Sequence, residues 1–345
     1  MKYVKIILIV LIVGVLLYFF LQNINFGEVM SIIKGLNPIY PIVFFLGLFL
    51  QFFIRGYRWG ILLKPHKKKI SVFTLYNYTV IGFFINTLIP GRVGEPARAI
   101  LLAREEKISG SFVLASVVLE RLIDSIMVVL LFLVSLFFID VNQFPFLLSL
   151  RKIAYFAFPI MLLVLVFFYL LNTDRVFHLV EKLVVLFSKI FPSRIRERAT
   201  SFLLNFVKGL RLDLNFRDFI KLSLVSPVVW LFLVPFYWFL MKGFDFGAGI
   251  GIVESIPYFS IIVASAAIPT PGMVGSFDYA SREALQQLYK YHQPPVTPEA
   301  AFAYTVLVHF VIILVIVIPG LVAVWNKGIN LKTVRNLKGE KDEVS

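Results

Sequence analysis

Apolar residues run along this chain in long blocks divided by short polar stretches. Blocks of spanning length fall at about 3–21, 38–56, 111–139, 153–171, 219–240 and 301–325. A helix needs about 20 mostly apolar residues to cross a hydrocarbon core of about 30 Å, so each block predicts a transmembrane helix. A transmembrane barrel would show short alternating segments, whereas these runs are continuous. Two further apolar stretches, 71–89 and 252–268, end in Pro-Gly turns. Segment 172–218 has another rhythm: apolar residues recur at helical spacing and basic residues interrupt them. That pattern predicts amphipathic helices lying on a membrane face. The N-terminus, MKYVKIILIVLIVGVLLYFFLQ, begins basic like a signal peptide. Its apolar run exceeds the usual length of about 7–15 residues and no A-x-A-like site follows, so it is expected to stay as the first span.

Composition agrees with this pattern. The chain has 345 residues, is 59% hydrophobic and 16% charged, and has a mean hydropathy of +0.87. Soluble domains carry about 25% charged residues. The expected class is an all-α polytopic membrane protein, with residues 1–327 as one transmembrane domain and 328–345 as a cytoplasmic tail. The net charge of +14 changes the picture less than it would in a soluble chain. The basic residues lie between spans, where they fit loops facing anionic lipid headgroups, and nucleic acid is not an expected partner. With no cysteine, disulfides, redox thiols and thiolate-held zinc are excluded. His66, His178, His292 and His309 are scattered without metal-ligand spacing, so neither metal nor cofactor is expected.

Charge also decides whether the two doubtful stretches cross. If each enters and returns on one side, and the N-terminus is inside, the cytoplasmic segments collect the large majority of the 34 Lys and Arg residues. Outside lie only Lys34, Arg151, Lys152, Lys242, Arg282 and Lys290. If both crossed singly, the dense basic block from Arg175 to Lys221 would fall outside, against the positive-inside rule. The expected topology is therefore six full spans plus two re-entrant hairpins, one from each side, with both termini inside.

The two hairpin turns resemble each other. Pro90-Gly91-Arg92-Val93-Gly94 matches Pro271-Gly272-Met273-Val274-Gly275 at four of five positions. Paired Gly/Pro-interrupted segments in two halves of a membrane protein point to an inverted repeat and a binding site near the midplane. Two unrelated surface loops are the plainer alternative. Proline fixes φ and glycine permits tight turns, so these residues suit hairpin tips. The helix after each tip would offer N-terminal amides to an anion, with Arg92, Arg98 and Arg104 adding guanidinium groups.

The third block carries Glu120, Arg121 and Asp124 within its apolar run. Ionisable groups inside a span are costly and are usually functional or paired. Arg121 could brace the fold against Glu95 or Asp124, line a substrate path, or do both. Asp278, Arg282 and Glu283 follow the second turn, and a solvated helix face would look the same. Arg55 and Arg58, beside Trp59, are expected to anchor the cytoplasmic end of the second span.

These residues carry a family resemblance. The succession TLIPGRVGEPAR, VVLERLID and PTPGMVGS resembles the flippase-like membrane domain of lysylphosphatidylglycerol synthases and their stand-alone relatives. The family pattern reads approximately PGR-GE--R, then -ERL-D, then P-PGG-G--E. Pro90, Gly91, Arg92, Gly94, Glu95 and Arg98 match the first motif, and Glu120, Arg121 and Asp124 the second. In the third, Met273 replaces the second glycine and Asp278 stands where an acid follows. The resemblance spans roughly 5–325 and implies a lipid translocator, since in fused members this domain moves an aminoacylated phospholipid between leaflets. The short segment after the last span is expected to leave this chain without the aminoacyl-transferase domain.

The resulting expectation is a non-enzymatic lipid flippase of a prokaryotic cytoplasmic membrane. A phospholipid or lipid-linked headgroup would be held by Arg92, Glu95, Arg98, Glu120, Arg121, Asp124, Asp278 and Arg282. The hairpin turns would be Pro90, Gly91, Gly94, Pro271, Gly272 and Gly275. The partners are membrane lipids, and the absence of a GxxxxGK[ST] motif argues against direct use of ATP. A membrane enzyme acting on a lipid-linked phosphate or sugar, and a scaffold recruiting partners through 172–218, are the alternatives.

Overall fold

Every regular element among the described residues is helical. The computed structural model describes residues 14–15, 18, 20–21, 24–65, 69–89, 91–137, 145–211, 214–265 and 270–329. The expected first span lies largely outside them, as do Pro90 and the tail from 330 onward.

A short helix, α1 (Phe26–Gly35), starts where the Asn25 side chain accepts from the amides of Gly27 and Glu28. It leads into α2 (Ile39–Leu63), whose 25 residues extend about 37 Å at 1.5 Å each, enough to cross a bilayer. Two arms follow, α3 (Val72–Leu88) and α4 (Gly94–Glu106), and then α5 (Gly110–Ser135) and α6 (Pro145–Leu171). The basic segment forms α7 (Asp174–Ser188) and α8 (Ser193–Leu210), and α8 packs on α5 where Gly209 admits Phe112 and Ala115. The next apolar block is broken into α9 (Phe216–Leu231) and α10 (Val234–Met241), because Pro235 fits the first turn of a new helix. Then come α11 (Ser255–Ser265), α12 (Ser276–Leu288) and the long α13 (Pro298–Asn326).

Among the described residues, three stretches are long and apolar enough to cross a membrane: Ile39–Leu63, Phe216–Met241 and Pro298–Asn326. α5 is equally long, and Glu120, Arg121 and Asp124 are what set it apart. Large apolar side chains such as Phe156, Leu163, Phe310 and Val322 stand exposed on the outer faces. Water would penalise such a surface and lipid would not.

The chain folds back on itself at both Pro-Gly turns. α3 and α4 run antiparallel so closely that a Cβ on Gly94 would lie 1.9 Å from the Gly82 carbonyl oxygen. Further along the same pair, the Tyr78 hydroxyl donates to Glu105 at 2.6 Å. α11 and α12 form the second pair, tied by Tyr258 to Ser281 at 2.7 Å. The two pentapeptides share positive φ at two matching positions, Gly91 and Arg92 at 92° and 54° and Gly272 and Met273 at 58° and 63°, and then part, since Gly94 already begins α4 whereas Gly275 stands at φ of 82° before α12. The two tips meet, since a Cβ on Gly272 would stand 3.4 Å from Thr87 Cγ2. α13 packs along both pairs, with Gly320 against Phe84 and His309 against Asp278.

Candidate functional site

Where the hairpin tips meet α2, α5 and α9 there is a cavity of about 500 Å³. One flank is polar, formed by Arg55, Arg92, Glu95, Arg121 and Asp124, with Asn86 and Thr87 at the first tip. The second tip adds Thr270, Gly272 and Met273, and the remaining wall is apolar, including Phe52, Val128, Phe259 and Ile312.

An ion network underlies the polar flank. The two α5 carboxylates lie four residues apart, one helical turn, and so share a face. Asp124 sits 2.7 Å from Arg58 Nη1, 3.3 Å from Arg55 Nη1 and 3.2 Å from Arg121 Nη2. Glu120 takes Arg98 at 2.9 Å, Arg121 at 2.8 Å and Arg58 at 3.3 Å. Arg121 also reaches Glu95, at 3.8 Å. Aromatic rings hold these guanidinium groups in place. Arg98 lies 4.5 Å over the Trp59 ring and Arg55 lies 4.7 Å over Trp230, whose indole also donates to Asp124. In a low-dielectric interior such a cluster persists only when each charge is paired and hydrogen-bonded.

Of the predicted residues, Arg92, Glu95, Arg121 and Asp124 lie on the cavity wall, and Arg98 and Glu120 stand just behind it, almost fully buried. Asp278 and Arg282 do not line the cavity. Asp278 accepts from the Gly275 amide and contacts His309, while Arg282 donates to the Phe20 carbonyl at 2.6 Å. Gly91 and Gly272 line the cavity at the tips, Gly275 has a positive φ of 82°, Gly94 lets α3 and α4 touch, and the Pro271 backbone begins the second tip. Pro90 lies outside the described residues.

The expectation for Arg55, Arg58 and Trp59 is corrected. They do not form an exposed anchor at a helix end; they are buried, and the two arginines complete the ion network. Their spacing carried the signal: Arg55 and Arg58 are three apart in an apolar run, so they share one face of α2 and can meet the paired acids of α5. His309 and Trp230 also escaped the sequence reading, because single polar groups in long apolar helices announce no partner.

The family model described as Lysylphosphatidylglycerol synthase TM region matches residues 6–320. No curated protein and no solved structure matches.

Proposed function

The chain belongs to the lysylphosphatidylglycerol synthase transmembrane-region family, membrane proteins concerned with lipid headgroups, and on that premise we propose that it carries an anionic lipid headgroup between leaflets. It acts as a translocator and not as an enzyme, in a cytoplasmic membrane, with six spans and the two hairpins entering from opposite sides. The headgroup sits against Arg92, Arg121 and Glu95, and the acyl chains follow the apolar wall.

The observation that carries this reading is the cavity's charge balance. Five guanidinium groups (Arg55, Arg58, Arg92, Arg98 and Arg121) face three carboxylates (Glu95, Glu120 and Asp124) among the described residues in and behind the wall. Excess positive charge away from bulk water is stabilised by an anion, and planar guanidinium groups match phosphate in geometry.

Reconstitution in liposomes containing a fluorescent phosphatidylglycerol tests the proposal, with dithionite quenching reporting the lipid that reaches the outer leaflet. The wild type should expose the probe faster than empty liposomes. Arg92→Ala should slow it at least about tenfold, the equivalent of losing about 1.4 kcal/mol of charge-assisted contact. Equal rates for wild type and the Arg92→Ala/Arg121→Ala double variant would overturn the headgroup assignment.

A further inference from the structure

The second hairpin tip is held by a histidine that the headgroup site does not use. His309, in the middle of α13 and 6% exposed, places Nδ1 2.6 Å from Asp278 Oδ1 and Nε2 2.8 Å from the Gly272 carbonyl oxygen. A carbonyl oxygen can only accept, so Nε2 carries a proton. A 2.6 Å contact between Nδ1 and a carboxyl oxygen needs a second proton between them, on the imidazole or on the acid. The pair therefore holds one proton more than a neutral imidazole beside a free carboxylate.

We propose that His309 and Asp278 form a proton-binding site that closes the second hairpin tip over the cavity and couples lipid movement to a proton. This rests on the translocator reading for what the tip encloses. When the extra proton leaves, the remaining imidazole proton stays with the charged carboxylate, the stronger acceptor. The Nε2 lone pair then faces the Gly272 carbonyl lone pair, and that contact is lost. Asp278 keeps its other hold, the Gly275 amide donating to Oδ2 at 2.8 Å, so release begins at Gly272.

The tip is built to respond. Gly272 and Met273 are consecutive residues in the left-handed region, at φ of 58° and 63°. For Met273 this backbone carries a cost of about 1–2 kcal/mol, which the surrounding contacts must hold. Both residues line the cavity, and Gly272 abuts Thr87 of the first tip. Loss of one bond at Gly272 thus acts where the two hairpins meet.

No other acid competes for His309 among the described residues packed around it. α3 contributes no acid or base, only the Tyr76 and Tyr78 phenols. Arg55 and Arg58 of α2 are committed to the α5 carboxylates. On α12, Arg282 donates to the Phe20 carbonyl, and Glu283 follows one residue later. Glu28 and Lys34 on α1 and Glu299 at the start of α13 are the remaining charges, and Tyr258 of α11 bonds Ser281. The sign follows from linkage: the closed tip binds the proton and the released tip gives it up, so closure is favoured at low pH and lost as pH rises.

The natural chain has no cysteine, so Met273→Cys gives one reporter without background. Its labelling by a membrane-impermeant maleimide, corrected for the reagent's own thiolate dependence with a free-thiol control, is followed in proteoliposomes from about pH 5 to pH 9. A rise of about tenfold per pH unit, levelling off once the tip is released, is expected. The rise should vanish in His309→Gln, which keeps a donor to Gly272 but cannot titrate, and in Asp278→Asn. Both variants must retain a cooperative melt. A flat profile in the parent, or an unchanged rise in both variants, overturns the proton site. The fluorescent phosphatidylglycerol assay under an imposed pH gradient is read separately. Lipid movement indifferent to the gradient, together with flat labelling, sinks coupling and leaves the translocator standing. A pH step in labelling without lipid movement leaves the proton site standing and overturns the translocator, and the coupling with it.

Discussion

Arg58 and Glu120 are completely buried, as a pair 3.3 Å apart. Each has more than one partner, so removing either leaves an uncompensated charge behind. Glu120→Gln should therefore lower stability by about 3–5 kcal/mol, seen as a fall in the detergent melting temperature. Arg92 stands on the same cavity but on its exposed rim, so Arg92→Ala should change stability by no more than about 0.5 kcal/mol while slowing lipid movement. A melt in which both variants lose equal stability would argue that Arg92 also braces the fold. Gly94 is a third kind of residue, required by space alone. With its would-be Cβ 1.9 Å from the Gly82 oxygen, Gly94→Ala must push the hairpin arms apart. The expected cost is at least about 1–3 kcal/mol, visible as faster proteolysis near residue 94.

Glu105, in the last turn of α4, ties that arm to the end of α13 through Lys327 at 2.6 Å, with Tyr78 at 2.6 Å from its other oxygen. Partial burial pushes the Glu105 carboxyl up, but the hydrogen bonds from Lys327 and Tyr78 outweigh it and hold the carboxyl below its ordinary value. A lowered acid stabilises the fold above its unfolded pKa of about 4.3, and that contribution disappears as pH falls through the folded value. The site is partly solvated, so Glu105→Gln should cost only some tenths of a kcal/mol, about 0.2–1, at neutral pH. The difference between the two melting curves should narrow below about pH 4 and close as pH falls through the folded value; a gap that persists at still lower pH would assign the loss to packing. At this scale the sequence was informative where apolar length decides: α2, α5 and α13 fall on the predicted blocks. α2 runs on to Leu63, past the predicted end at 56, because Arg55 and Arg58 are satisfied by α5 and do not need to reach water. The split of α9 from α10 was missed, since a hydropathy window passes over Pro235. The pentapeptide match was legible and did predict a shared turn, for glycine followed by a second left-handed residue is a local property. The ion network was only half legible, because pairing between α2 and α5 depends on how the helices pack.

Two antiparallel helix pairs meet tip to tip beside the cavity, and a headgroup that passes between them requires the tips to part. The contact is close enough to lock. A Cβ at position 272 would lie 3.4 Å from Thr87 Cγ2, which is where a cysteine sulfur at 87 would sit, within reach of a disulfide. In the double variant Thr87→Cys/Gly272→Cys, an oxidant should form an intramolecular bond, and no other thiol in the chain competes. Cysteine at 272 must accept the φ of 58°, at a cost of about 1–2 kcal/mol, so the reduced double variant is the proper reference. Oxidation should stop exposure of the fluorescent phosphatidylglycerol, and dithiothreitol should restore the reduced rate. If the tips stay joined and lipid still moves at that rate, the headgroup does not pass between them. The route would then have to run along the apolar wall between α5 and α9, with the arginine network as a fixed brace beside it.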